Sequence, residues 1–396
     1  MKLSLCTIVK NEEATLAKCL NSAKSIVDEI VVLDTGSTDK TIEIAQDLGA
    51  KVYHFPWNND FSAARNEALK YVTGDWVLVL DADEALIPKI KSQIRQVIEM
   101  PEYILINLLR YEVGASQAPY SMVSRLFRKH SEIKFSRPYH AIVDDSISDI
   151  LCKEPDWQIG HLETVAILHE GYRQEVINKQ NKFSKAKAAM EGFININPHD
   201  PYVCSKLGAL YVESGKVAEG IELLQRGIAS KQANIDLMYE LHYHLGIAYT
   251  RTQDIRKAVS HYQAAIKLVV MPILKLGAYN NLGNLLKALG DLRSAKSAYE
   301  MTIRIDPNFA TGHYNLGMTL KAMGLFVDAI AAYQHAVQLN PDYGDAYQNL
   351  GVVWLKVGNQ KASLAAFNKA ISLHEKNNPN EAMRLRQGLE EMGLLL

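Results

Sequence analysis

Residues 76 to 84 read Trp-Val-Leu-Val-Leu-Asp-Ala-Asp-Glu, an apolar run that ends abruptly in the carboxylates of Asp81, Asp83 and Glu84. A fully apolar run of this length suits a strand buried on both faces, and uncompensated negative charge at the end of such a strand is strongly disfavoured. Something positive has to meet Asp81 and Asp83. A hard divalent cation carrying a diphosphate is the natural partner, because Mg²⁺ or Mn²⁺ binds one or two carboxylates and fills its other positions with water and phosphate oxygens. An Asp-x-Asp tripeptide also occurs in turns and helix caps, so the surrounding elements have to decide.

Those elements alternate. Leu3 to Val9 reads as a strand, Glu12 to Lys24 as a helix through the spacing of Leu16, Cys19 and Leu20, and Ile30 to Leu33 as a second strand. A helix follows from Thr38 to Leu48, capped by Ser37 or Thr38 and stopped by Gly49. Val52 to Phe55 is the third strand, Phe61 to Val72 a helix stopped near Gly74, and Trp76 to Leu80 the fourth strand. This order predicts a parallel, doubly wound α/β sheet with ligands outside the carboxyl ends of its strands. Acid gathers at that edge in Asn11-Glu12-Glu13, Asp34, and Asp81 with Asp83. Capping competes for some of these positions. Glu12, Asp39, Asp60 and Ser62 sit where helices open, and Arg65 also reads as a surface helix residue paired with a local acid.

Four segments carry a family resemblance: Ser4 to Glu13, Val31 to Thr41 with its Asp34-Thr35-Gly36-Ser37 core, Asp60 to Leu69 around Arg65, and Gly74 to Glu84. In this order and spacing they resemble the motif set of family-2 glycosyltransferases with the GT-A fold. The resemblance implies a Rossmann-like, mostly parallel sheet, a nucleotide-sugar donor, a divalent metal (Mn²⁺ or Mg²⁺) and inversion at the anomeric carbon. It places Asn11, Glu12, Asp34, Arg65 and Asp81 at the nucleotide sugar, with Asp34 on uracil or ribose, Asp81 near ribose or metal, and Asp83 on the metal. Many members have a second Asp where this chain has Thr35.

Ser124 to Arg128, Pro138-Tyr139-His140-Ala141 and Ile167 to Tyr172 resemble the short acceptor half of the same group. There an acid usually follows the histidine that His140 matches, and this chain has Ala141 instead. An inverting transfer needs a base for the acceptor hydroxyl or thiol, which leaves Asp144, Asp145 and Glu170 as candidates. The resemblance makes His169, ahead of Gly171-Tyr172, a third metal ligand beside Asp81 and Asp83, and a neutral imidazole suits Mn²⁺. A buried structural histidine is the competing reading for His140 and His169.

Lys and Arg number 43 against 44 Asp and Glu, a formal charge of −1, which argues against a nucleic-acid-binding surface. Cys6, Cys19, Cys152 and Cys204 have neither metal-ligand spacing nor a disulfide framework. The N-terminus lacks a signal-peptide cleavage region and no run of about 18 apolar residues follows, so a soluble cytoplasmic protein is expected.

From Asn197 the sequence repeats. Leu-Gly pairs begin at 207, 245, 282, 316 and 350, and a small residue (Gly220, Ala258, Ala295, Ala329, Ser363) and then Leu224, Tyr262, Tyr299, Tyr333 or Phe367 recur after each. This resembles five tetratricopeptide repeats, an all-α superhelix of helical hairpins. The expected domains are a transferase head over 1–173, a coupling helix over 174–198, repeats over 199–378 and a capping helix over 379–396. Asn281, Asn315 and Asn349 precede three of the Leu-Gly pairs, where they either form a ladder for an acceptor peptide backbone or simply satisfy neighbouring backbone. The expectation is a metal-dependent hexosyltransferase that moves a sugar from a nucleoside diphosphate, with UDP the first choice, to a protein or peptide recruited by the repeats. A glycan or lipid-linked glycan acceptor, or a non-catalytic repeat scaffold with a relic head, are the alternatives.

Overall fold

The computed structural model describes residues 1–115, 117–139, 141–170, 176–230 and 232–394 and, for residues 176–185, only the helix they form. The chain divides into two compact units, Met1–Ala115 with Pro119–Gln232, and Ser116–Ala118 with Ala233–Leu396.

The first unit is built on β1 (Leu3–Val9), β2 (Glu29–Asp34), β3 (Lys51–His54), β4 (Trp76–Val79), β5 (Glu84–Leu86), β6 (Tyr103–Glu112), β7 (Tyr120–Arg128) and β8 (Gln158–His169). Their order in the sheet is β3-β2-β1-β4-β7-β6-β8-β5. The strands β3, β2, β1 and β4 are parallel, as their alternation with helices predicts. Beyond β4 the sheet turns mixed: β7 is antiparallel to β4 and β6, β8 is parallel to β6, and β5 is antiparallel to β8.

Helices cover both faces, which is why the strands read as continuous apolar runs. On one face, α1 (Leu16–Ala23), α2 (Thr41–Asp47) and α4 (Lys91–Val97) pack on Leu3, Leu5, Val32, Trp76 and Leu78; on the other, α3 (Phe61–Leu69) and α5 (Asp144–Lys153) pack on Cys6, Val31, Leu33, Val77 and Val79. Helix α1 starts at Leu16 rather than Glu12: the Glu12 carbonyl takes the Thr15 and Leu16 amides in a turn ahead of it, and the Glu12 amide bonds the Thr41 hydroxyl at 2.7 Å. The unit ends with α6 (Val176–Ile196), α7 (Pro201–Glu213) and α8 (Val217–Ala229), whose Met190, Ile194, Leu207 and Leu223 share a core.

The second unit is helical: α9 (Ile235–Arg251), α10 (Ile255–Lys267), α11 (Leu276–Ala288), α12 (Leu292–Ile305), α13 (Ala310–Ala322), α14 (Phe326–Leu339), α15 (Gly344–Lys356), α16 (Gln360–Asn377) and α17 (Pro379–Glu391). The recurring glycines have one packing reason. A Cβ on Gly246, Gly283, Gly317 or Gly351 would lie 2.6–3.0 Å from the ring of Tyr262, Tyr299, Tyr333 or Phe367 on the paired helix. Deleting the methyl lets each ring seat against helix backbone.

Candidate active site

The carboxyl ends of β1, β2 and β4 carry the predicted residues, and local hydrogen bonds decide what each one does. After β1, the exposed Asn11 is tied to the loop after β2: its Oδ1 accepts from the Thr38 amide at 2.7 Å and its own amide donates to the Ser37 hydroxyl at 2.9 Å. Asp34 is only 3% exposed and accepts the Gly36 and Ser37 amides at 3.0 and 3.1 Å, closing a turn in which Gly36 has φ of 105°. Thr35 donates its hydroxyl to the Val9 carbonyl at 3.0 Å and is buried, so at this position the chain uses a short structural hydroxyl. Asp39 accepts the Thr41 and Glu13 amides in the turn ahead of α2, and Asp60 caps α3 through Ser62 and Ala63.

Past β4, Asp81 and Asp83 take separate roles. The Asp81 carboxylate meets Arg65 Nη2 at 2.7 Å and Arg125 Nη2 at 2.6 Å. Burial alone would raise the Asp81 carboxyl, but Arg125 and Arg65 outweigh it and hold it well below the usual carboxylate range. The capped helix α3 supplies Arg65, which burial and the nearby Arg125 lower to about 10. Arg125 comes from a bulge: Ile106 pairs with Leu126 and Asn107 with Ser124, so the residue between has no partner on β6. Such an extra residue re-aims a side chain without breaking the sheet. Behind this pair, the buried Glu84 bonds Arg110 Nη1 at 2.9 Å, and Arg110 Nε meets Glu112 at 2.8 Å.

Asp83 turns instead to β8, where His169 Nε2 lies 3.3 Å from Asp83 Oδ2 and His169 Nδ1 lies 2.5 Å from Glu112 Oε2. Burial works against the imidazolium, but the bonds to Asp83 and Glu112 prevail and raise the histidine to about 10. Among the described residues, no group of three or more His, Cys, Asp or Glu gathers as a metal-binding set.

The three candidate bases separate clearly. Asp145 is held by Arg137 and by the Ser136 hydroxyl at 2.5 Å, and Glu170 pairs with Lys18 at 2.8 Å. Asp144 accepts the Ser124 hydroxyl on Oδ1 at 2.9 Å, while its buried Oδ2 has no hydrogen-bond partner. Burial raises its pKa. His140, Gly171 and Tyr172 lie outside the described residues.

Residues 4–160 match the family described as Glycosyl transferase family 2, and residues 205–269, 276–309 and 310–343 match tetratricopeptide repeat families. A TPR repeat-containing protein of Synechococcus elongatus is 42% identical over 306 residues, which cover 77% of this chain and 76% of that protein. An uncharacterized glycosyltransferase of Rickettsia typhi is 33% identical over 199 residues, 47% of this chain and 67% of that one.

The chain belongs to glycosyl transferase family 2.

The transferase is also 28% identical over 225 residues to the SPbeta prophage-derived glycosyltransferase SunS of Bacillus subtilis, where the match spans 56% of this chain and about half, 52%, of SunS. The crystal structure of YrrB, described as a TPR protein with an unusual peptide-binding site, covers 51% of the transferase at a TM-score of 0.42 and 17% identity.

In the repeats of the transferase, the three asparagines bond to side chains of neighbouring helices. Asn281 is 9% exposed and donates to Tyr262 Oη at 3.3 Å; Asn315 is 8% exposed and donates to Asn280 Oδ1 at 2.8 Å. Asn349 bonds Tyr314 and accepts from Lys321. Asn281 and Asn315 thus satisfy neighbouring polar side chains in the packed interior, while Asn349 is half-buried. The sequence reading passed over Arg125, Arg110, Glu84 and Glu112. Arg125 was visible within Ser124-Arg125-Leu126-Phe127-Arg128, but its bulge and its reach to Asp81 needed the register of β6 and β7.

Proposed function

We propose that this transferase moves a sugar, with inversion, from a UDP-sugar to a polypeptide acceptor recruited by its repeats, using a divalent metal. The observation that carries the reading is the pairing at one sheet edge of an arginine-held Asp81 with an Asp83 that adjoins His169. A carboxylate beside an imidazole is a donor set that suits Mn²⁺, and with no larger cluster among the described residues the remaining positions fall to water and phosphate oxygens. Asp83 and His169 would hold the metal, with Glu112 fixing the imidazole from behind. When bound, the metal offsets the charge that develops on the leaving diphosphate.

The chain's own residues do the rest. Asp81, kept ionised by Arg65 and Arg125, accepts a ribose hydroxyl, so its metal role in the sequence reading passes to its neighbour. The buried Nε of Arg65 has no protein partner and donates to a diphosphate oxygen. Asp34, Asn11 and Glu12 shape the nucleoside pocket mainly through the loop they tie together. Asp144 is the base: a carboxylate with one bare oxygen and a raised pKa is better tuned to take the acceptor proton than the salt-bridged Asp145 or Glu170. Four free cysteines support a reducing compartment for the reaction. No described helix is long and apolar enough to cross a membrane.

Asp83→Asn tests the reading, because it keeps the side-chain volume and removes the charge. Mn²⁺-dependent hydrolysis of UDP-glucose or UDP-N-acetylglucosamine should vanish while the helical circular-dichroism signal stays unchanged. Hydrolysis near the parent rate would remove Asp83 from the metal site.

A further inference from the structure

The first helices of the last three repeats each end in a lysine, two of them over an aromatic ring: Lys287 Nζ lies 6.0 Å from the Tyr299 ring centre and Lys356 Nζ 5.7 Å from that of Phe326. Lys287 and Lys321 stand five residues after the Leu of their Leu-Gly pairs and Lys356 six after, each in the last turn of α11, α13 or α15. At five residues the first two repeats have Val212 and Thr250. The helices α11 and α13 contain no acidic residue, and α15 has only Asp345, in its first turn and 3.7 Å from His374. Among the described residues, none of the three ammonium groups has a carboxylate within ion-pair distance.

These helices are neighbours. Asn315 on α13 bonds Asn280 on α11 at 2.8 Å, and Lys321 reaches from α13 to Asn349 Oδ1 on α15 at 2.5 Å. Burial and the charges of Lys287 and Lys356 together lower the pKa of Lys321. A helix dipole favours a cation in each last turn, and the same position recurs on neighbouring first helices.

We infer that Lys287, Lys321 and Lys356 form a docking surface for an extended acidic polypeptide segment. Packed helices lie about 8–10 Å apart. A segment in polyproline II conformation repeats every third side chain on one side at about 9.3 Å. Carboxylates three residues apart therefore match successive lysines. A nucleic acid would draw on a longer basic track than three lysines on a chain of net charge −1 supply. Because it names what the repeats take hold of, this inference rests on the polypeptide recruitment proposed above.

The test uses the full chain, without nucleotide sugar, and a fluorescein-labelled twelve-residue peptide of Ala and Pro with Asp at every third position, against the same peptide with Asn. Fluorescence anisotropy should show the Asp peptide binding at least about tenfold more tightly, with affinity falling as salt rises. Each exposed ion pair is worth a factor of about two to five, so Lys287→Gln/Lys321→Gln/Lys356→Gln should weaken binding about ten- to a hundredfold. The corresponding triple Arg variant should bind like the parent. Equal binding of the two peptides, a salt-independent affinity, or a folded triple Gln variant that binds like the parent would each overturn the surface. An oligouridylate of equal charge binding more tightly than the Asp peptide would overturn its assignment to polypeptide. If the Gln variant fails to fold, the peptide pair and the salt series on the parent still decide. A protein that passes these tests yet glycosylates no polypeptide keeps the surface and loses the acceptor class; the opposite result removes the surface alone.

Discussion

Replacing Arg125 by Met should unbalance the centre of the head. The guanidinium makes its shortest contact to Asp81 Oδ2 at 2.6 Å and lies 3.9 Å from Glu84. Removing it leaves Asp81 on Arg65 and Glu84 on Arg110. Breaking a buried ion pair on one side costs about 3–5 kcal/mol. The Asp81 side chain is 34% exposed, so solvent screening brings this to about 2–3 kcal/mol. In a unit of this size each kcal/mol moves the midpoint by about 2–4 °C, so Arg125→Met should lower the melting temperature by about 4–12 °C. Because the arginines hold the Asp81 pKa down, the deficit should be full above the ordinary carboxylate range and shrink as acid protonates Asp81. Thermal and urea unfolding of Arg125→Met, Asp81→Asn and the double variant give the coupling directly, and the double variant should lose about 1–2 kcal/mol less than the sum of the singles. Strict additivity, or a melting temperature unchanged by Arg125→Met, would refute the argument that this pair organises the site.

Other substitutions test separate parts. Asp144→Asn should cut the transfer rate about a hundredfold or more while the donor KM holds, measured by steady-state kinetics; a rate within a few-fold of the parent would move the base elsewhere. Glu29, which receives Ser4, Thr73 and Gly74, shows a balance of opposing effects: burial pushes its pKa up, but these bonds outweigh it and lower it from 4.5 to about 2. Its stabilisation is therefore present above pH 4.5 and lost as pH falls through about 2, so the melting deficit of Glu29→Gln should be full at neutral pH and close across that window. Asn315→Ala should destabilise the repeats by about 1–3 kcal/mol, because it strands the buried Asn280 carbonyl, and a calorimetric trace unchanged from the parent would reopen the ladder.

The sequence carried the parallel half of the sheet because β1, β2 and β4 are local apolar runs and a helix follows each of β1, β2 and β3. Its acidic ends were legible for the same reason, since charge cannot sit inside such a strand unexplained. The repeats were legible through period alone: Gly246, Gly283, Gly317 and Gly351 recur because the same ring must seat against the same backbone each time.

Long-range pairing decided what each acid does. Nothing local in Asp81-Ala82-Asp83 separates its two carboxylates. One meets guanidinium groups from a helix and from a bulge in a strand that pairs antiparallel, and the other meets an imidazole 86 residues away. The same holds for Asp144, Asp145 and Glu170, all carboxylates in the sequence and made different by Ser124, Arg137 and Lys18. It holds too for Asn281 and Asn315, whose repeat spacing suited either a surface ladder or a packed seam until the neighbouring helices closed over them. Residue type and spacing determined which elements form and where charge must be answered. Which charge answers it depends on register between strands distant in sequence, and a side chain's proton affinity follows from that neighbour and from how much water the fold leaves around it.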